Sequence, residues 1–152
     1  MVRYTANGCP SEDDEEHLLS DYCDNRGWKH THVSNETFTT SWNQKRKMRY
    51  LGVSSGFTDH IVIMKVKKMR RIVFIELKRQ KGGSISDNQY EWVHELQEAG
   101  QKAVVCRGGQ EAIDYLESIE NGTRYQFTLE YRFQKQYKSW LKKQNQELEM
   151  PF

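Results

Sequence analysis

Asp59, together with Glu76 and Lys78 spaced around Leu77, are the side chains of this 152-residue chain whose types and order could do chemistry. Side chains alternate faces along a β-strand, so in the run Ile72-Val73-Phe74-Ile75-Glu76-Leu77-Lys78 the carboxylate of Glu76 and the ammonium of Lys78 point the same way. Asp59 heads an earlier β-rich run, and a hairpin between the two runs brings its carboxylate beside Glu76. Two carboxylates and an ammonium in one pocket suit metal-assisted hydrolysis of a phosphodiester. Mg²⁺ prefers an octahedron of oxygens, is typically held by one or two carboxylates and keeps several waters. It neutralises phosphate charge and activates a bound water, while a lysine orients that water or stabilises the transition state. An isolated E-x-K triplet is equally what a solvated edge strand carries. Its place directly after an apolar run, where unpaired charge is costly, favours the catalytic reading and predicts perturbed carboxyl pKa values.

The elements that must position these groups follow from periodicity and punctuation. Leu18, Leu19, Tyr22 and Cys23 give one apolar stripe from Glu12 to Asn25, with acids in the first turn and Gly27 at the end, so a helix is predicted there. Trp28 to Ser34 reads as a strand, Asn35 to Ser41 as a loop, and Trp42 to Leu51 as a basic helix stopped by Gly52. Asp59–Val66 and Ile72–Lys78 are β-rich runs covered on both faces, joined as an antiparallel hairpin through Lys67 to Arg71. Ser86 opens a helix with Trp92, Val93 and Leu96 on its apolar side, Ala103 to Cys106 is a short buried strand, and Gly108-Gly109 leads into a helix with Ala112, Ile113, Leu116 and Ile119, closed by Gly122. The order α-β-α-β-β-α-β-α predicts an α/β fold, a mixed central sheet flanked by helices. Residues 1–124 are the expected domain, and 125–152, aromatic and then Lys/Gln-rich, an extension expected to be helical in part that docks on the core, on a partner or on itself.

Composition bounds the rest. The length is that of one domain, and 36% hydrophobic residues exclude gross disorder. No apolar run is long enough to span a membrane and the N-terminus lacks the features of a secretory signal, so a soluble cytoplasmic protein is expected. Cys9, Cys23 and Cys106, odd in number and without C-x-x-C spacing, argue for free thiols and against a disulfide scaffold or a cysteine zinc site, with Cys23 and Cys106 in the core. The net charge of +2 conceals opposite patches: acids at Glu12 to Glu16, and basic clusters at Lys45, Arg46, Lys47 and Arg49 and at Lys67, Lys68, Arg70 and Arg71. The first basic cluster, flanked by Trp42 and Tyr50, is the candidate DNA-binding surface, with a solvated basic face as the alternative. The second grips flanking DNA or stays in water. No base-reading module is visible, which favours recognition by DNA structure over recognition by sequence.

The strings Gly52-Val53-Ser54-Ser55-Gly56-Phe57-Thr58-Asp59, Phe74-Ile75-Glu76-Leu77-Lys78-Arg79 and Lys81-Gly82-Gly83, with Ser86, Gln89, Trp92, Leu96 and Gly100, together resemble the VRR-NUC branch of the PD-(D/E)XK nuclease superfamily. The resemblance spans roughly Glu12 to Ile119. It implies a restriction-endonuclease-like core and a Mg²⁺- or Mn²⁺-dependent DNA endonuclease, with Asp59 and Glu76 on the metal, the Leu77 carbonyl as a further ligand, Lys78 at the attacking water and Gln89 near the site. Ser86-x-x-Gln89 is also a helix capping box, and both roles are compatible. The superfamily's proline before the aspartate is Thr58 here, which bears on loop geometry more than on chemistry. A first-helix glutamate is implied at the metal; from the helical spacing Glu15 is the choice, Glu12 the second, and Glu16 is rotated away. Asn35, Glu36 and His32 stand at the place where relatives carry an asparagine-rich loop after the first strand, which implies contact with the nucleic acid, Asn35 first, or with the edge of the site. Similar stand-alone members look like Holliday-junction resolvases, which implies branched DNA as substrate and a symmetric homodimer. The rival readings are a non-catalytic nucleic-acid-binding module and a nuclease subunit active only within a larger complex.

Overall fold

A computed structural model of the chain describes residues 8–34 and 41–148. Its elements are α1 (Glu12–Asn25), β1 (Lys29–His32), α2 (Trp42–Tyr50), β2 (His60–Val66), β3 (Met69–Lys78), α3 (Asp87–Glu98), β4 (Lys102–Arg107), α4 (Gly109–Asn121) and α5 (Glu130–Leu148). The four strands form one sheet in the order β1-β2-β3-β4, antiparallel except for the β3–β4 pair. The mixed α/β architecture read from the sequence is the one observed.

Strand alternation divides the sheet into two chemically distinct faces. Val62 and Met64 of β2, Val73, Ile75 and Leu77 of β3, and Val104 and Cys106 of β4 pack against Leu19 and Cys23 of α1 and Ala112, Ile113 and Leu116 of α4. The opposite parity sends Phe74, Ala103 and Val105 to the face covered by Tyr90 and Val93 of α3. Phe74 is followed on this second face by Glu76 and Lys78, so the polar end of β3 lies on the side of α3.

Local signals hold the elements in place. Ser11 caps α1 by accepting from the Asp14 N–H, and four acids in the first turn meet the positive end of the helix dipole. The Ser86 side chain accepts from the Gln89 N–H while the Gln89 side chain accepts from the Ser86 N–H, a complete capping box that starts α3. The hairpin is tighter than the sequence spacing implies. The ladder continues through Lys65↔Arg70 to Val66↔Met69, leaving only Lys67 and Lys68 in the turn, with Lys67 at φ +56°. Backbone pairing needs no apolar side chains, so β3 extends through its exposed, basic start (Met69 to Ile72) beyond the core. β1 is shorter than expected, Lys29–His32, although the Val33 N–H still donates to the Asp59 carbonyl at 2.7 Å.

The C-terminal segment is built into the molecule. Leu129 is buried, the Thr128 N–H donates to the Glu111 carboxylate at 2.6 Å, and Phe133, Tyr137 and Trp140 of α5 surround Tyr90 of α3. The three cysteines are buried thiols rather than disulfide partners, and among the described residues no helix is long and apolar enough to cross a membrane.

Candidate active site

β3 outruns β2, and the site is built in the gap. The β2–β3 ladder ends at His60↔Ile75, so the backbone of Leu77 has no strand opposite it on that side. Asp59, one residue ahead of β2, takes the vacant position: its Oδ2 accepts from the Leu77 N–H at 3.0 Å. In a strand the N–H and C=O of one residue point to the same side, which turns the Leu77 carbonyl toward this gap as well. The Lys78 carbonyl points the other way and accepts from the Gly108 N–H at 2.8 Å. Thr58, directly before Asp59, is fully buried.

Glu76 is only 1% exposed. Its Oε1 accepts from Lys78 Nζ at 2.7 Å and from Gln89 Nε2 at 2.6 Å, whereas no donor reaches the buried Oε2. The Asp59 carboxyl lies within hydrogen-bonding reach of Glu76. Two carboxylates can only accept, so they come together only around a proton or a cation. Burial first, and the Asp59 charge second, push Glu76 up to about 8. Burial likewise raises Asp59 above the usual carboxylate range, against the lowering effect of its bond from Leu77. Lys78 Nζ also donates to Gln89 Oε1 at 2.9 Å, the oxygen that completes the capping box of α3. Gln89 therefore starts the helix and orients both Glu76 and Lys78.

The acids of α1 divide three ways. Glu15 is 3% exposed and its two oxygens are engaged: Oε2 accepts from the Gly109 N–H at 2.7 Å and Oε1 from Gln80 Nε2 at 2.6 Å. That ties α1 to the N-terminus of α4, where a negative charge is favourable. Glu12 pairs with Arg79 at 2.9 Å, both exposed. Glu16 is not turned away, as the helical spacing implied. Its Oε2 is 2.8 Å from His60 Nδ1 and 3.3 Å from His32 Nδ1, and its charge raises Asp59. The difference arises because the inward stripe is Glu15-Leu19-Cys23, while Leu18 is 41% exposed, which rotates Glu16 toward the edge formed by β1 and β2.

These groups line one cleft of about 300 Å³, with Glu12, Asp13, Glu15, Glu16, Asp59 and Glu76 against the single ammonium of Lys78 and the imidazole of His32. A phosphate enters such a cleft only with cations. The residues fit a hard divalent ion: oxygen donors from two chain segments, one of them buried without a donor, and a carbonyl directed to the same gap.

The basic side chains Lys45, Arg46, Lys47 and Arg49 stand exposed on α2, a helix with no buried residue, and none of them lines the cleft. Asn35 and Glu36 lie outside the described residues. Sequence reasoning set Glu16 aside as rotated away and passed over His30 and His60. Their signal was the alternation His30-x-His32 and a histidine directly after Asp59, which becomes informative only once the register His32↔His60 is known.

A family model for the VRR-NUC domain matches residues 13–110. A solved structure described as a VRR_NUC domain protein is 19% identical and superposes with a TM-score of 0.57, covering 72% of this chain and 88% of that chain. Comparison with curated proteins gives no match.

Proposed function

The chain belongs to the VRR-NUC domain family, whose function is of nuclease type, and from that premise we propose that it is a divalent-metal-dependent DNA endonuclease acting at the Asp59–Glu76 cleft. The observation that carries the metal dependence is the buried Glu76 Oε2, which has no donor and stands by a second carboxyl. Asp59, Glu76 and the Leu77 carbonyl would hold Mg²⁺ or Mn²⁺. When bound, the cation supplies charge neutralisation at the scissile phosphate and activation of water. Lys78 sits where it can orient the attacking water, and Gln89 holds that amine in place. Glu15, the first-helix acid assigned to the metal from the sequence, lines the same cleft and also ties α1 to α4, each of its oxygens accepting one hydrogen bond and keeping a lone pair for the ion.

The substrate is DNA, and the absence of a visible base-reading element favours branched over linear duplex, as in a junction resolvase working as a homodimer in the cytoplasm. The four basic side chains of α2 form the DNA-facing surface outside the cleft. The test is a cleavage screen on linear, flapped, nicked and four-way DNA with Mg²⁺, with Mn²⁺ and with chelator. Metal-dependent cutting of branched DNA, lost in Asp59→Ala and Glu76→Ala with DNA binding kept, is the expected result. Equal cutting of linear duplex would remove the structural preference. Binding without cleavage on any substrate would leave a binding module, or a subunit that needs a larger complex.

A further inference from the structure

At the edge of the same cleft, Glu16 and His32 converge with His60 as a second set of ligands. His32 pairs with His60 and His30 with Val62, so all three imidazoles share the face that meets α1, whereas Asp59 and Glu76 have the parity of the α3 face. Glu16 Oε2, His32 Nδ1 and His60 Nδ1 lie within 4.8 Å of one another.

Hydrogen-bond direction shows what belongs between them. The exposed Asp24 carboxylate can only accept, so His30 Nε2, at 2.9 Å from its Oδ1, carries a proton. The Nδ1 of a neutral His30 then accepts from His60 Nε2 at 3.1 Å. That leaves His60 Nδ1 as a bare lone pair, 2.8 Å from another acceptor, Glu16 Oε2. His60 is fully buried, so water does not relieve the clash. Three contacts link Asp24 to Glu16, and with one proton on each imidazole the last of them, between His60 Nδ1 and Glu16 Oε2, is bridged by a cation, either a further proton or a metal ion. His32 Nδ1 converges on the same Glu16 oxygen.

We propose that Glu16, His32 and His60 form a second divalent-cation site of Zn²⁺ class, distinct from the carboxylate pair of Asp59 and Glu76. Two histidines and one glutamate are a ligand set that Zn²⁺ takes while keeping a position open, at bond lengths of about 2.0–2.2 Å. In a tetrahedron those bonds separate donor atoms by about 3.4 Å, close to the 3.3 Å between His32 Nδ1 and Glu16 Oε2, whereas His60 Nδ1, at 2.8 Å from the same oxygen, would have to move apart from it on binding. The Asp24–His30–His60 chain is the carboxylate–histidine support that fixes the tautomer and ring of a metal-bound imidazole. Imidazole ligands select a borderline ion where the all-oxygen pair selects Mg²⁺.

The experiment titrates Zn²⁺ by calorimetry and Co²⁺ by visible absorption into the full chain, in the Glu76→Gln background that disables the oxygen site. One equivalent should bind, with nitrogen-ligand d–d bands and without the ultraviolet band of thiolate ligation. His32→Ala, at a half-exposed position that leaves the core intact, should weaken binding at least tenfold. His30→Ala should weaken it about 10- to 100-fold as the supporting residue. Loss of binding in Glu76→Gln, binding unmoved by His32→Ala, or no binding at all would overturn the proposal; the last outcome means that a proton alone fills the gap. Because the readout is binding, a failure to cleave DNA would count against the nuclease reading without touching this one.

Discussion

At the scale of single residues, the Glu76 carboxyl sets stability against chemistry. Its folded-state pKa of about 8 lies above the ordinary 4.5. The protonated form is thus favoured by folding, and the stabilisation, complete below about 4.5, is lost as pH rises through about 8. The slope for one proton reaches about 1.4 kcal/mol per pH unit. With chelator present, the melting temperature should fall across that interval, and saturating Mg²⁺ should flatten the fall by replacing the proton. Glu76→Gln should also flatten it while abolishing cation binding at the pair; an unchanged slope in that variant would contradict the burial argument. Lys78→Ala should lower turnover about 10²- to 10³-fold, the scale for removing one positioned donor, with Mg²⁺ affinity nearly kept. Comparable losses in both would place Lys78 in the binding of metal instead. The approach of Asp59, Glu76 and Lys78 was legible in the sequence because strand parity and hairpin pairing are local rules, whereas Gln89 was placed beside them only by the family resemblance. The division of labour among Glu12, Glu15 and Glu16 was not. A rotation of about 100° per residue separates neighbours on a helix, and which one faces inward depends on partners such as Gly109 and His60 that no local pattern specifies.

At the scale of elements, close approach between α1 and α4 shapes one wall of the cleft. A Cβ at Gly109 would stand 2.5 Å from the Glu15 carbonyl oxygen, and one at Gly108, where φ is +84°, would sit 3.2 Å from the Glu15 carboxylate. Gly109→Ala should therefore push α4 off α1 and cost about 1–3 kcal/mol, the usual range for overpacking, measurable by denaturant unfolding. On the opposite wall, Ser86→Ala removes a cap worth about 0.5–2 kcal/mol and frees Gln89, so activity should drop alongside stability. A stability loss with full activity would show that Gln89 keeps its place without the cap. The long periodic elements and the central hairpin were readable because hydrophobic period and glycine punctuation agree there. Strand ends were less legible: Met69 to Arg71 pair through backbone alone, with side chains that look like a loop. The docking place of α5 was not legible because its inward residues, Phe133, Tyr137 and Trp140, find their partners on α3, far away in sequence.

For the whole molecule, the family match ends at residue 110, yet the core does not. Leu129 closes over Val93 and Val105, and burying a leucine is worth about 1.5–3 kcal/mol. Truncation after Arg124 should therefore lower stability by several kcal/mol and loosen α3, which carries Gln89. Electrostatics make the second argument at this scale. The near balance of 23 basic and 21 acidic residues hides a local separation, with a group of acids lining the cleft and basic clusters exposed on α2 and the hairpin tip. Such a surface repels DNA at the place of reaction and attracts it elsewhere, so binding must depend on cations in the cleft and on phosphate pairing outside it. Each phosphate neutralised contributes a slope of about −0.9 in log K against log salt for duplex DNA. Replacing Lys45, Arg46, Lys47 and Arg49 by alanine should flatten that slope by roughly that amount for every phosphate left without its cation, while cleavage of already bound DNA proceeds at its former rate. An unaltered salt slope would remove α2 from the path of the DNA and leave the hairpin cluster of Lys67, Lys68, Arg70 and Arg71 as the surface that holds it.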